Sequence, residues 1–182
     1  MRGLIFGVAT NDAWYVTQPK EGDCCPAFRK WKDMISRVYS KKMLNNNPTY
    51  ADVTVCDEWL TFSNFLKWYD ENYIEGFELD KDLKVKGNKI YSPKSCLFVP
   101  PEVNRLFADK RILNKELPTG VSFHNQSGKY IARAGHKYLG LFETEEEALR
   151  VYNEAKNTKI KLLITQYKYL ELVLTQHLSA TI

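Results

Sequence analysis

The chain has 182 residues, room for one ordinary domain or two small ones. Hydrophobic residues make up 44% and aromatic residues 13%, enough to build cores, which excludes global disorder. A net charge of +4 is compatible with a polyanionic partner without requiring one, and no run of about 18 apolar residues offers a membrane span.

The opening "MRGLIFGVATNDAW" has too short an apolar core before Asn11 and Asp12 to serve as a signal peptide. Cys24, Cys25, Cys56 and Cys96 lack the paired CxxC spacing of a zinc site and read as reduced thiols of a cytosolic protein. After strand-like apolar pieces and the turn-rich "TQPKEGD", Pro26 opens a helix in "PAFRKWKDMISRVYSKK". Phe28, Trp31, Ile35, Val38 and Tyr39 fall on one face of it. The other face carries Arg29, Lys30, Lys32 and Arg37, a basic surface suited to a phosphate backbone but also routine on a solvated helix.

A second helix is predicted from about Asp57, with Trp59, Phe62, Leu66 and Tyr69 as its apolar stripe. Strands follow at about Phe77 to Leu83 and Lys89 to Val99, joined at Gly87-Asn88, then a helix in "PPEVNRLFADKRI". "LNKELPTG" reads as a linker, dividing the chain into residues 1–112 and 113–182. Beyond it three short strands lie near Gly120 to His124, Lys129 to Ala134 and Lys137 to Phe142. Thr144 and Glu147 form a capping-box signature for the next helix, and "KIKLLITQYKYLELVLTQHL" is a further helical stretch, apolar on more than one side. The fold class is α+β: a helical lead-in with a strand-strand-helix segment, then a three-stranded antiparallel sheet with a helix and a C-terminal helix.

Two constellations carry chemistry. In the first, Asp80, Lys81 and Asp82 end a strand, Asn88 lies in the following loop and Asn104 on the following helix. Read from residue types alone, this is either an exposed strand end with ordinary ion pairs or a cleft for a divalent cation and a phosphate. The text "LDKDLKVKGNKIYSPKSCLFVPPEVN" resembles the HNH (ββα-metal, His-Me finger) endonucleases, especially phage-borne ones. The resemblance implies a degenerate ββα-metal site with Asp80 and Asn104 as ligands of Mg or Mn if the site is catalytic, and no cofactor otherwise. It implies Asn88 as the residue that orients the base, and it puts Lys81 where the family has its histidine base. A lysine ammonium is a poor base at neutral pH but can grip a phosphate, leaving water activation to the metal or to Asp82.

In the second constellation, strand alternation puts Lys129, Ile131 and Arg133 on one face, with Tyr130 and Ala132 on the other. Ser122 and His124 lie together on the first strand, and Lys137 and Tyr138 on the third. The set "GV", "GKY", "LGLFETEEEA" and "Y..AK", over about Thr119 to Asn157, is similar to the AP2-type DNA-binding domain. That resemblance implies a sheet laid in the major groove, with Ser122, His124, Arg133, Lys137 and Tyr138 as contact candidates. Most of the family's arginines are absent, and Arg133 replaces an acid. The alternative is a small α+β module whose polar sheet face is merely wet.

Together these point to a phage-type HNH/AP2 protein acting on double-stranded DNA in the host cytoplasm, nicking or cleaving it through a degenerate active site. The alternative is a catalytically inactive DNA-binding or host-interaction protein, regulatory or counter-defence, on the same scaffold. A homodimer through the C-terminal helices is a third expectation.

Overall fold

The computed structural model describes residues 3–20, 22–107 and 117–179, and they form a mixed α+β fold. The chain divides into two compact units, Met1–Ala108 and Asp109–Ile182. This division and the predicted one after residue 112 both fall in 108–116, outside the described residues, as does the end of the helix predicted through Ile112.

In the first unit, α1 (Pro26–Tyr39) begins at a proline, whose missing N–H is no loss in a first turn. It buries Ala27, Phe28, Trp31, Met34, Ile35 and Val38. The short α2 (Lys41–Asn46), a 3-10 turn at Pro48–Tyr50 and β1 (Thr54–Val55) follow. The helix predicted from Asp57 is a correction. Asp57–Leu60 is a 3-10 turn and α3 runs Phe62–Asn72. Thr61 is extended because the backbone around it pairs with the N-terminal segment: the Thr10 N–H donates to the Leu60 carbonyl and the Phe62 N–H to that of Thr10. The turn drives Trp59 inward, where its carbonyl accepts from Trp31 Nε1 at 2.7 Å.

The predicted hairpin is also corrected. Its first strand, β2 (Glu78–Asp80), ends at Asp80 rather than Leu83, because the Asp80 carboxylate accepts from the backbone N–H groups of Asp82 (2.8 Å) and Leu83 (2.7 Å) and turns the chain. Its second strand splits in two. β3 (Ile90–Tyr91) pairs in parallel with β1, and β4 (Leu97–Val99) pairs antiparallel with β2, Asp80 opposite Leu97. Between them the Ser95 hydroxyl donates to the Ile90 carbonyl at 2.7 Å, and the amides of Ser95 and Cys96 return to Ser92. α4 (Pro101–Phe107) follows at once and packs on β2. The ring of Phe98 meets those of Trp68, Tyr69 and Tyr73 at 5.4, 5.6 and 5.3 Å, anchoring β4, and with it β2, on the back of α3.

The second unit holds an antiparallel sheet in the order β5 (Val121–His124), β6 (Lys129–Ala134), β7 (Lys137–Phe142). α5 (Glu145–Gln166) covers one face, where Val121, Ala132 and Ala148 are buried with Tyr130, Leu139, Phe142 and Leu149 around them. The Thr144 hydroxyl accepts from the Glu147 N–H at 3.2 Å, as its sequence position predicts. The two helical stretches predicted here are one helix as far as Gln166. A 3-10 turn at Lys168–Leu170 and α6 (Glu171–Thr175) then fold back along α5, with Ile160, Leu163, Leu170 and Leu174 buried.

Candidate nucleic-acid interface

In the loop after β2 hydrogen bonds join Asp80, Lys81, Asp82 and Asn88, whereas Asn104 bonds Glu78. Asn88 Nδ2 donates to the carbonyls of Lys81 (2.9 Å) and Ile90 (2.7 Å), fastening both sides of the loop that Gly87, at φ 75°, closes. Asn88 thus fixes the backbone of Lys81. The Lys81 side chain does not present a free amine, however. It is 8% exposed, with Nζ donating to Asp82 Oδ1 at 2.6 Å and to the Asn88 carbonyl at 3.1 Å. The ammonium also lies 5.8 and 5.9 Å from the ring centres of Tyr50 and Tyr91. Burial pushes the Tyr91 phenol well up, with Tyr50 adding to the rise and Arg37 opposing it, so the slot around the ammonium stays un-ionised on its phenol side.

Asp80 spends one oxygen on the loop amides. Burial raises its carboxyl above the ordinary value, against those two hydrogen bonds and the nearby Lys81 charge, which pull it down. Asn104, on α4, donates its side-chain amide to Glu78 Oε2. Glu78 and Asp80 share the face of β2 opposite the buried Leu79, so strand period two sets Asn104 beside the Asp80 face through Glu78. Glu78 is missing from the sequence prediction, although its i, i+2 spacing from Asp80 is the signal that finds it. The oxygens of Glu78, Asp80 and Asn104 are of the hard kind that Mg²⁺ or Mn²⁺ takes. Among the described residues, no three His, Cys, Asp or Glu side chains are grouped to hold a metal.

The basic residues of α1 do not form one stripe. At 100° per residue Lys30 and Lys32 stand on opposite flanks of the helix. Lys30 Nζ donates to the Phe77 carbonyl at 3.2 Å and Lys32 Nζ to Gln18 Oε1 at 2.8 Å, while Arg29 is exposed.

On the three-stranded sheet, register decides which residues share the outer face. Ser122 stands opposite Ile131, and Ile131 opposite Leu141, forming a row across the sheet. His124 stands opposite Lys129 at one end, and Arg133 opposite Tyr138 at the other. Tyr138 is 55% exposed and Leu141 40%, and Ser122 and Arg133 are exposed. Lys137 departs from the prediction. A register shift between Ala132 and Arg133 sets Tyr138 on the outer face and Lys137 opposite Ala134, on the parity that faces α5. His124 Nδ1 is 2.8 Å from the Ser127 hydroxyl, and Lys129 makes an exposed ion pair with Glu143. Of the expected C-terminal dimer surface, Leu172 and Tyr169 are exposed. Among the described residues no helix is long and apolar enough to cross a membrane.

No family model matches this chain, and no curated protein or solved structure matches it.

Proposed function

We propose that this chain is a double-stranded-DNA-binding protein of the phage HNH/AP2 kind, acting in the host cytoplasm, whose three-stranded sheet enters the major groove. The observation that carries the reading is the uncovered outer face of that sheet, with Lys129 and His124 at one end and Arg133 and Tyr138 at the other. Cations and hydrogen-bonding tips on a sheet face suit phosphate grip and base-edge contact. The N-terminal unit, in this reading, is a ββα scaffold that contributes shape more than chemistry. Lys81 is committed to Asp82, Asn88 and two aromatic rings, so it supplies neither a base nor a free cation.

The testing experiment is retardation of duplex DNA over a salt series. Affinity should fall with salt, and Lys129→Ala with Arg133→Ala should weaken binding and reduce the slope by about two. No retardation of any duplex at low salt would refute the reading.

A second reading, metal-dependent nicking, is favoured by Glu78 and Asp80 lying on one face of β2 with the Asn104 amide on Glu78. Those three would hold Mg²⁺ or Mn²⁺, which supplies Lewis-acid polarisation of a phosphate when bound. Asp80→Asn keeps the acceptor for the Asp82 and Leu83 amides and removes the charge. Stabilisation of the wild type by either cation, lost in Asp80→Asn, together with nicking of supercoiled plasmid, would establish this reading. Neither effect across the metal series would leave the binder alone.

A further inference from the structure

The outer face of the sheet is not uniformly polar. Its central row is Ser122, Ile131 and Leu141, two of the three apolar, and Leu141 is 40% exposed. Lys129 and Arg133 flank Ile131 on the same strand, two residues away on each side. At about 3.3 Å per residue, the backbone positions that carry the two cations stand ~13 Å apart. The major groove of B-DNA is about 12 Å wide between its phosphate walls. A strand crossing that groove would therefore set one cation against each wall and lower its apolar centre onto the groove floor. The pair of Lys129 with Glu143 is solvent-exposed and such pairs are worth little, so the ammonium can turn from the carboxylate to a phosphate.

On the groove floor only one feature is apolar, the 5-methyl group of thymine. Placed over cytosine amino groups or guanine oxygens, Ile131 and Leu141 would desolvate polar atoms without replacing their hydrogen bonds, which is costly. Over thymine methyls they bury apolar surface on both sides. We infer that Ile131 and Leu141 are specificity-determining residues that select thymine methyl groups at the centre of the bound site, with Lys129 and Arg133 holding the flanking phosphates. The inference rests on the proposed docking of this sheet in the major groove.

The test uses the full chain. A randomised 30-base-pair duplex library is selected for binding, and the enriched duplex is resynthesised with deoxyuridine in place of thymidine, which removes the methyl and leaves base pairing intact. The wild type should lose affinity by about fourfold for each methyl desolvated. Ile131→Ala and Leu141→Ala should each shrink the difference between the two duplexes, and together abolish it. Equal binding of the two duplexes by the wild type overturns the inference while leaving DNA binding in place. A loss that persists undiminished in the double variant overturns it too, since the methyl effect then arises elsewhere. If no duplex is enriched or retarded at all, the DNA reading itself fails. The wild-type comparison needs no variant, so misfolding of a variant does not blunt the test.

Discussion

Lys81 Nζ lies 2.6 Å from Asp82 Oδ1, and the ammonium is buried while the carboxylate is half in water. This asymmetry sets what a substitution costs. Lys81→Met removes the cation, after which Asp82 can resolvate but the Asn88 carbonyl loses its donor inside the slot between Tyr50 and Tyr91. We expect a loss of about 1–3 kcal/mol in the N-terminal unit, the range for leaving one buried hydrogen-bonding group unpaired. Chemical denaturation followed by tryptophan fluorescence reads it. DNA affinity should be unchanged, because the sheet of the second unit carries the proposed contact. A drop in affinity with stability intact would show instead that the lysine reaches phosphate.

The end of the first predicted strand marks how far that segment was legible. Alternation and turn residues located β2, β4 and α4, whereas a shared cleft for Asp80, Asn88 and Asn104 is an expectation of the resemblance. They did not reveal that Asp80 would use its own carboxylate to stop the strand, or that Ile90-Tyr91 would pair with Thr54-Val55. A carboxylate choosing between a metal and its neighbours' amides depends on distances of tenths of an ångström, which spacing does not carry. The C-terminal unit was more legible because its determinants are local: three alternating strands, short turns and the Thr144 cap. Two features escaped: the break after Gln166 that folds α6 back along α5, and the register shift at Ala132/Arg133, which moved Lys137 to the other face.

Gly120 lies against the Tyr152 ring. A Cβ there would stand 2.1 Å from Cδ2, and φ is +87°. Both the space and the backbone conformation require glycine. Gly120→Ala should destabilise the C-terminal unit by more than ~1 kcal/mol. In a Tyr152→Ala background the clash vanishes and only the backbone strain remains, so the same substitution should cost about 1 kcal/mol. A double-mutant cycle by thermal melting measures the difference as a coupling. Additive effects would mean the ring moves aside freely.

Cys96 is buried, and burial pushes its thiol up to about 12. Cys56 is also raised, chiefly by burial, whereas Cys24 and Cys25 are partly exposed. Since the thiolate is the reactive form, alkylation at pH 8 should label Cys24 and Cys25 first and leave Cys96 unmodified until the chain unfolds. Peptide mapping of a timed reaction gives the order. Early labelling of Cys96 would contradict the packing of β4.

Asp12 caps α3 from across the unit. Its Oδ1 accepts from the Ser63 N–H at 2.9 Å and its Oδ2 from the Ser63 hydroxyl at 2.6 Å, while Thr61, the residue in the capping position, makes no side-chain cap. Slight burial would raise the Asp12 carboxyl, but the Ser63 bonds outweigh it and hold the group below its ordinary value. A carboxylate depressed in the folded state adds stability above its unfolded pKa, and that stability fades as pH falls through the folded one. The contribution is therefore complete at neutral pH, begins to fall near pH 4, and disappears below the folded pKa. Asp12→Ala should lower stability at neutral pH by about 1 kcal/mol, the usual worth of an N-cap. The deficit should shrink on acidification through pH 4, where the wild type loses the same interaction. Denaturation curves of both proteins between pH 3 and pH 7 test this, and a deficit that stays constant across the range would show that Asp12 acts through packing rather than charge.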